Sequence, residues 1–249
     1  TQYDRPEHRE KVVDNIIKRF TLLSRNCKYH AILATSSIAE AVEYYKLLRE
    51  KAPQLNVTSL FDPNIDEGGS GFDKEAALEL IIGEYNTLYN KNYDVATFAT
   101  MKKDMSNRLT HKEAYKHLEP GKQIDILIVV NQMLTGFDSK WVNTLYLDKY
   151  YKPDQAHDLI QAISRTNRPQ DKREKPFGTI RYYRKVHSMK RNIDDAIRMY
   201  SGGRPFGVFV DRLPHNLHRI NDIFIEIKEI FEATEIENFS KLPELDAER

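Results

Sequence analysis

The amino-acid sequence predicts an α/β fold, a three-layer domain with a mainly parallel sheet, followed by the start of a helical region. Short β-favouring runs alternate with longer stretches in which apolar residues recur at helical spacing, and this alternation favours parallel strands covered by helices. Residues 125–130 form a continuous β-favouring run, which is typical of a central strand buried on both faces. The Gly202-Gly-Arg-Pro segment breaks the alternation, so we divide the chain into residues 1–200 and 201–249.

Each element in the first half of the chain follows from its local pattern. Val12, Ile16 and Phe20 recur at helical spacing and predict the first helix. Ser37 and Glu40 have the spacing of a capping box, so we expect a helix to begin there. In chain order, the predicted elements are helix 7–23, strand 29–34, a helix to residue 49, strand 57–61, loop 62–71, helix 73–90 and a partly helical stretch to residue 122.

The second half of the chain repeats the alternation and ends in helices. The predicted elements are strand 125–130, loop 135–138, strand 142–147, helix 154–168, strand 178–183 and helices 217–231 and 236–242. We expect the helix over 154–168 to end at Arg168, because Pro169 disfavours helical geometry in the residue before it.

The predicted helix over 154–168 has two contrasting faces. Its apolar face comprises Ala156, Leu159, Ile160 and Ile163. Gln161, Arg165 and Arg168 fall on nearly the opposite side, where two guanidinium groups and an amide form a donor array suited to phosphate oxygens. Taken alone, an amphipathic helix with a solvated basic face is the better explanation of the pattern.

Composition narrows the class of protein. A hydrophobic content of 40% with 30% charged residues fits a globular domain, and no apolar run approaches the roughly 20 residues that span a bilayer, so we expect no membrane association. The single cysteine, Cys27, excludes an internal disulfide and a multi-cysteine zinc site, and it fits a reducing cytoplasm. The first residues carry no signal-peptide pattern. Because the chain opens on Thr-Gln-Tyr without a methionine, we expect it to be a piece of a longer polypeptide.

Charge distribution says more about partners than net charge does. The net charge of +1 argues neither for nor against nucleic acid. Basic side chains crowd between Arg165 and Arg191, whereas residues 243–248 are acidic. A local basic patch of this kind gives weak support for nucleic-acid binding.

Three segments together resemble the second RecA-like lobe of superfamily 2 helicases and translocases, over roughly residues 28–185. AILATSS resembles motif IV, ILIVVNQMLTGFDS resembles motif V, and the Q-x-x-x-R-x-x-R of QAISRTNR resembles motif VI. The wider string AHDLIQAISRTNRP looks most like the restriction (R) subunit of type I restriction-modification enzymes. That branch suits Ser164, where the superfamily usually has glycine.

The resemblance implies a nucleotide-facing set of residues. Arg165 and Arg168 would reach across a cleft to the γ-phosphate of ATP as arginine fingers, and Gln161 would help to sense the nucleotide state. Gly136 would allow close approach of main chain to ligand, and Asp138 would accept a hydrogen bond from ribose or orient an arginine. The plainer alternatives are a Gly-containing turn capped by Asp138, and a salt bridge at a helix end for Arg168.

The resemblance also implies contacts to the DNA backbone. Thr35, Ser36 and Ser37 follow a strand and precede a helix, where hydroxyls and amides can hold a phosphate. Thr135 would make a similar contact from the motif V-like segment. The alternative for Ser37 is that it simply caps the helix.

The chain lacks parts that an ATP-dependent motor needs. It contains no P-loop and no D-E-x-H string, so we expect that it cannot hydrolyse ATP alone. The resemblance implies that ATP and Mg²⁺ are held mainly by a first motor lobe, N-terminal to this segment, with a nuclease domain before it. It further implies double-stranded DNA, the modification subunit and the specificity subunit as partners, and a cytoplasmic location.

Two other readings stay open. One is the second lobe of another superfamily 2 helicase or remodeller, and the other is a non-catalytic α/β module that binds DNA or protein. Two further patterns are weaker: Asp211 with Glu226 and Lys228 superficially resembles a nuclease site, and His215 and His218 resemble a metal pair. We interpret both patterns as surface features.

Overall fold

A computed structural model describes residues 2–62, 73–119, 121–130, 139–166, 168, 175–201 and 213–233. The chain divides into two compact units, Thr1–Gly203 and Arg204–Arg249. In chain order, the first unit contains α1 (Pro6–Leu23), β1 (His30–Thr35), α2 (Ile38–Lys51), β2 (Val57–Leu60), α3 (Lys74–Tyr89), α4 (Phe98–Thr110), β3 (Ile126–Val130), β4 (Val142–Asp148), α5 (Ala156–Ser164), β5 (Thr179–Tyr182) and α6 (Val186–Tyr200). In the second unit, the described residues form α7 (Leu213–Ala233).

The predicted fold class is confirmed. The strands form one sheet in the order β2-β3-β1-β4-β5, and all four pairings are parallel. Every residue of β1 to β4 is buried, as expected of strands covered on both faces, whereas β5 at the edge is half-buried. Crossovers between parallel strands are right-handed, so the connection from β1 to β2 covers one face and the connections from β2 to β3 and from β4 to β5 cover the other.

The helix after β1 shows how a local pattern sets an element boundary. The Ser37 hydroxyl accepts a hydrogen bond from the Glu40 amide at 3.1 Å, so Ser37 caps α2 as predicted. The Glu40 carboxylate accepts from the Ser36 amide at 3.0 Å, one residue earlier than in a standard capping box. The two bonds fix the exit of β1 relative to the start of α2.

The predicted end of the motif VI-like helix is wrong. The α-helix ends at Ser164 rather than Arg168, and it follows a short 3-10 turn at Pro153–Gln155. The amide of Thr166 bonds the Ile163 carbonyl at 3.2 Å, and the Thr166 hydroxyl donates to that same carbonyl at 3.1 Å. Bonds to the third residue back tighten the last turn and compete with the α-helical pattern, so the helix stops before the proline is reached.

Two helices lie where the sequence analysis gave none or an uncertain one. α4 occupies part of the weakly periodic stretch before residue 122, and α6 follows β5 directly. The buried side chains of α6 are Met189, Ile193, Ala196 and Ile197, which have helical spacing. The basic residues around them had been interpreted only as a charged patch. The helix 236–242 lies outside the described residues.

No helix in the described part of the chain is both long and apolar enough to cross a membrane.

Candidate functional site

The carboxyl ends of the three central strands lie side by side. Thr35, the last residue of β1, pairs in register with Val130 at the end of β3 and with Asp148 at the end of β4. The segments that follow these strands in the sequence are the motif IV-like turn after β1, the motif V-like segment after β3 and the motif VI-like helix α5 after β4. The parallel sheet therefore brings the ends of the three strands that lead into these segments to one edge.

We call residues 35–37, which are the last residue of β1 and the two residues after it, the serine turn. The Thr35 side chain is buried, and its hydroxyl lies 3.3 Å from the carbonyl oxygens of Val129 and Ser37. Ser36 and Ser37 are half-buried. The Thr35 hydroxyl thus anchors the turn from inside, and Ser36 and Ser37 are the members of the serine turn that reach the surface.

The motif V-like residues Thr135, Gly136 and Asp138 lie outside the described residues, so their predicted roles stay predictions.

The motif VI-like residues lie on α5 and beyond its end. Gln161 lies on the last full turn of α5, Arg165 is half-buried at its end, and Arg168 is exposed beyond it. Arg165 keeps helical backbone angles (φ −62°, ψ −31°), so it still lies one turn beyond Gln161. Arg168 does not continue this helix, contrary to the single polar stripe expected from the sequence.

The turn formed by Arg165 and Thr166, which we call the arginine turn, is seated against the residue before β5. Thr166 is buried, and a Cβ added to Gly178 would lie 2.4 Å from the Thr166 carbonyl oxygen. Only glycine fits at this position without a shift of the turn. Because Gly178 precedes β5, the arginine turn lies near the amino end of that strand, whereas the serine turn lies at the carboxyl ends.

The Gln161 side chain is held by a residue one turn earlier. Its Nε2 lies 2.7 Å from His157 Nε2, and His157 Nδ1 lies 3.2 Å from the hydroxyl of Tyr200 on α6. An amide nitrogen only donates, so His157 Nε2 accepts and the proton of the neutral ring is on Nδ1. The contact from α6 therefore orients Gln161 through the imidazole.

A buried charged cluster at the carboxyl edge was missed by the sequence analysis. The Asp148 carboxylate is fully buried and receives hydrogen bonds from the hydroxyl of Tyr44 (2.7 Å) and the guanidinium of Arg184 (3.0 Å), and it bonds His8 Nε2 at 2.7 Å. The same guanidinium donates to Glu40 at 2.7 Å. We call these five residues the Asp148 cluster. Asp148 ends β4 and Arg184 follows β5 at this edge. Position at the end of a strand is the signal that drew attention to Thr35, and it could have identified Asp148 and Arg184 too.

The protonation states in the Asp148 cluster follow from this geometry. Burial raises the pKa of the Asp148 carboxyl, but hydrogen bonds from Arg184 and His8 outweigh burial, so its pKa lies below the ordinary value. Burial lowers the pKa of Arg184, but its bonds to Asp148 and Glu40 raise the pKa above the ordinary value. Burial and the charge of Asp148 raise the pKa of Tyr44. The cluster therefore holds ionised Asp148 and Arg184 beside a neutral phenol.

Within the described ranges, no three His, Cys, Asp or Glu side chains are grouped as a metal site requires. Asp211 and the side chain of His215 lie outside the described residues, and His218 lies 3.8 Å from Asp222 on the same helix. Glu226 and Lys228 are exposed on α7, and Lys228 pairs with Glu232 at 3.3 Å. The structure thus agrees with a solvated helix face for these residues.

Comparison with known proteins gives one consistent result. The family model described as type I restriction enzyme subunit R domain 3 matches residues 27–185. The endonuclease subunit of a type I restriction enzyme from Staphylococcus aureus is 40% identical over 200 residues, which is 77% of this chain and 20% of that protein. A corresponding subunit from Staphylococcus saprophyticus is 37% identical over 201 residues, with the same shares covered. The chain therefore spans about a fifth of the length of these relatives.

Among solved structures, the second domain of a DEAD-box helicase bound to an RNA duplex matches with a TM-score of 0.44 and 14% identity. That match covers 91% of this chain and 72% of the helicase chain.

Proposed function

The chain belongs to the family of type I restriction enzyme R subunits, and we propose that within such a subunit it forms the second motor lobe of an ATP-dependent DNA translocase. In this proposal, the lobe supplies arginine fingers to ATP and contacts to the DNA backbone. ATP hydrolysis is then coupled to movement along duplex DNA before cleavage.

The order of the sheet is the observation that carries this proposal. β3, β1 and β4 are neighbours, and they precede the segments that resemble motifs V, IV and VI. In open α/β sheets, ligands bind beyond the carboxyl ends of the strands, where loops offer backbone donors. The residues 27–185 that match the family include all three segments. The adjacency of the three strands supports a motor lobe in which the three segments act together.

The proposed role of the arginine turn is electrostatic. Arg165 and the exposed Arg168 would approach the γ-phosphate of ATP held by the first motor lobe, and Gln161 would sense the nucleotide state. A guanidinium carries a fixed charge and a planar fork of donors, so it stabilises the negative charge that develops as the phosphoryl group is transferred. We assign the phosphates and Mg²⁺ mainly to the first lobe, with Gly136 and Asp138 also near the nucleotide.

The proposed DNA contact uses the serine turn and Thr135. Ser36 and Ser37 lie at the surface beside the amino end of α2, where hydroxyls and helix dipole favour a phosphate. Thr35 would act mainly by anchoring the turn, since its hydroxyl is already bonded inside the protein. Because the serine and arginine turns lie at different ends of the strands, cleft closure on ATP could alter the hold on DNA without the two ligands meeting.

The whole assembly is part of the proposal. The partners would be double-stranded DNA, the first motor lobe and nuclease domain of the same subunit, and the modification and specificity subunits, in the cytoplasm. We expect the isolated chain to show no ATPase activity and only weak, salt-sensitive DNA affinity.

Substitution of the exposed arginine tests the proposal. In the full-length subunit, Arg168→Ala should lower DNA-stimulated ATPase activity by about 10³-fold or more, as for loss of an arginine finger, while DNA binding survives. Arg19→Ala, at an exposed position of α1, removes the same charge away from the arginine turn and should leave turnover unchanged. ATP turnover near wild type in Arg168→Ala would refute the proposed role.

A further inference from the structure

The main chain of the serine turn is held by Glu40 of α2, and Glu40 is held in turn by Arg184, which follows β5. One Glu40 carboxylate oxygen accepts from the Ser36 amide at 3.0 Å, and the other accepts from Arg184 at 2.7 Å. The same Arg184 nitrogen lies 3.0 Å from Asp148. A chain of hydrogen bonds therefore runs from the end of β4 and the residues after β5, through Glu40, to the main chain of the turn.

We propose that Arg184 and Glu40 are positioning residues for DNA-backbone binding, which fix the serine turn in the geometry that a phosphate requires. The inference rests on the proposed function, in which the serine turn contacts DNA. Neither side chain needs to touch DNA: Arg184 holds Glu40, and Glu40 holds the Ser36 amide.

Burial and connectivity support a positioning role over a direct contact. The side chains of Arg184 and Glu40 are 10% and 14% exposed, and that of Asp148 is fully buried. Tyr44 of α2 and His8 of α1 bond Asp148, so two helices fix the Asp148 end of this chain of hydrogen bonds. A planar guanidinium can serve two carboxylates in fixed directions, which a lysine ammonium cannot do with the same rigidity.

Charge alone predicts the opposite effect on DNA binding. Glu40 places a negative charge in the first turn of α2, where it opposes the attraction of the helix end for a phosphate. If electrostatics dominated, removal of that charge would strengthen DNA binding. If Glu40 acts by holding the turn, the same change loosens Ser36 and weakens binding. The sign of the change therefore separates the two roles.

The test uses the full-length subunit and a fluorescently labelled duplex oligonucleotide, with affinity measured by anisotropy at several salt concentrations. Glu40→Gln keeps the shape but can no longer accept from both Ser36 and Arg184, and we expect about tenfold weaker binding, comparable to loss of one charge-assisted hydrogen bond. Glu43→Gln is the matched control, since Glu43 lies on the same helix with its side chain 52% exposed and the charge change is identical. Its affinity should be unchanged or slightly higher.

A double variant tests whether the two residues act as one unit. Arg184→Lys should weaken binding to a similar degree, and adding it to Glu40→Gln should cause little further loss, because both changes break one chain of contacts. Unchanged or tighter binding by Glu40→Gln would overturn the inference, and additive losses would overturn the coupling through Arg184. If Arg184→Lys fails to fold, as judged by circular dichroism, the comparison of DNA affinity between Glu40→Gln and Glu43→Gln still tests the positioning role.

Ser36→Ala with Ser37→Ala separates this inference from the proposed function. If that variant binds DNA more weakly while Glu40→Gln binds like the wild type, the DNA contact is supported and only the positioning role is rejected. Wild-type affinity in the serine variant would instead reject the contact itself.

Discussion

The buried His30 allows a quantitative prediction about acid stability. His30 begins β1 and is fully buried, with Nδ1 2.6 Å from the Ile124 carbonyl oxygen and Nε2 3.0 Å from His111 Nε2. Burial, with the nearby charges of His111 and Lys175, lowers the pKa of His30 from 6.5 to about 3. The carbonyl contact fixes the Nδ1 proton, so Nε2 accepts from His111 in the folded protein.

The magnitude follows from the difference between folded and unfolded states. Near pH 5 the unfolded chain binds a proton at His30, because its unfolded pKa is the ordinary value of 6.5, while the folded protein does not. Stability from this group is therefore fully present above pH 6.5 and is lost as the pH falls toward about 3. Between pH 7.5 and pH 5, His30 alone should reduce the free energy of unfolding by about 2 kcal/mol.

Urea unfolding at the two pH values measures this loss. Trp141, the single tryptophan, stacks on His111 with ring centroids 4.1 Å apart, so its fluorescence reports on this region. His30→Asn keeps a donor for the Ile124 carbonyl but cannot be protonated, so its free energy of unfolding should fall by about 2 kcal/mol less than that of the wild type. His117→Asn, at an exposed position, controls for loss of a histidine. Equal pH dependence in the wild type and His30→Asn would refute the reasoning.

Two further substitutions test the contacts around the candidate site. Asp148→Asn should lower the free energy of unfolding by about 3–5 kcal/mol in thermal denaturation, because it leaves a buried guanidinium poorly paired. Lys190→Ala, at an exposed ion pair, should have little effect in the same assay. The pKa of Asp148 is lowered, so its contribution is present above the ordinary carboxyl pKa and is lost as the pH falls through the folded value. Gly178→Ala should lower the free energy of unfolding by about 1–3 kcal/mol, because the added Cβ displaces Thr166, and it should also reduce ATP turnover of the full subunit. Gly83→Ala is the control: a Cβ there meets no atom within 4 Å, so the free energy of unfolding should be unchanged or higher. Equal effects of the two glycine substitutions would contradict the close contact.

The sheet was predictable because each strand has a local signal. The run from Ile126 to Val130 is continuously apolar, and β3 is buried throughout, so pattern and environment agree. Ser37 and Glu40 predicted the start of α2 because a helix cap is also a local signal: its two residues are only three positions apart. The resemblance of three short segments to superfamily 2 motifs then indicated which family to expect.

The errors arose where distant contacts or competing local bonds decide the structure. Pro169 sets only a latest end for α5, and the hydroxyl of Thr166 ends the helix earlier. The Asp148 cluster joins His8 to Asp148 across 140 positions, which no local pattern reveals. A charged residue at the end of a buried strand, such as Asp148, is the local hint, and it becomes informative only once the strand order is known.

The edge strand β5 connects the two parts of the candidate site. Gly178, just before β5, seats the arginine turn, and Arg184, just after β5, holds Glu40 and through it the serine turn. A short, half-buried strand therefore supports the proposed nucleotide contact at its amino end and the proposed DNA contact at its carboxyl end. If both proposals hold, changes at the two ends should separate the activities: Gly178→Ala should reduce ATP turnover with DNA affinity retained, and Glu40→Gln should weaken DNA affinity while basal ATP turnover persists. Loss of both activities together in either variant would mean that β5 supports only the fold.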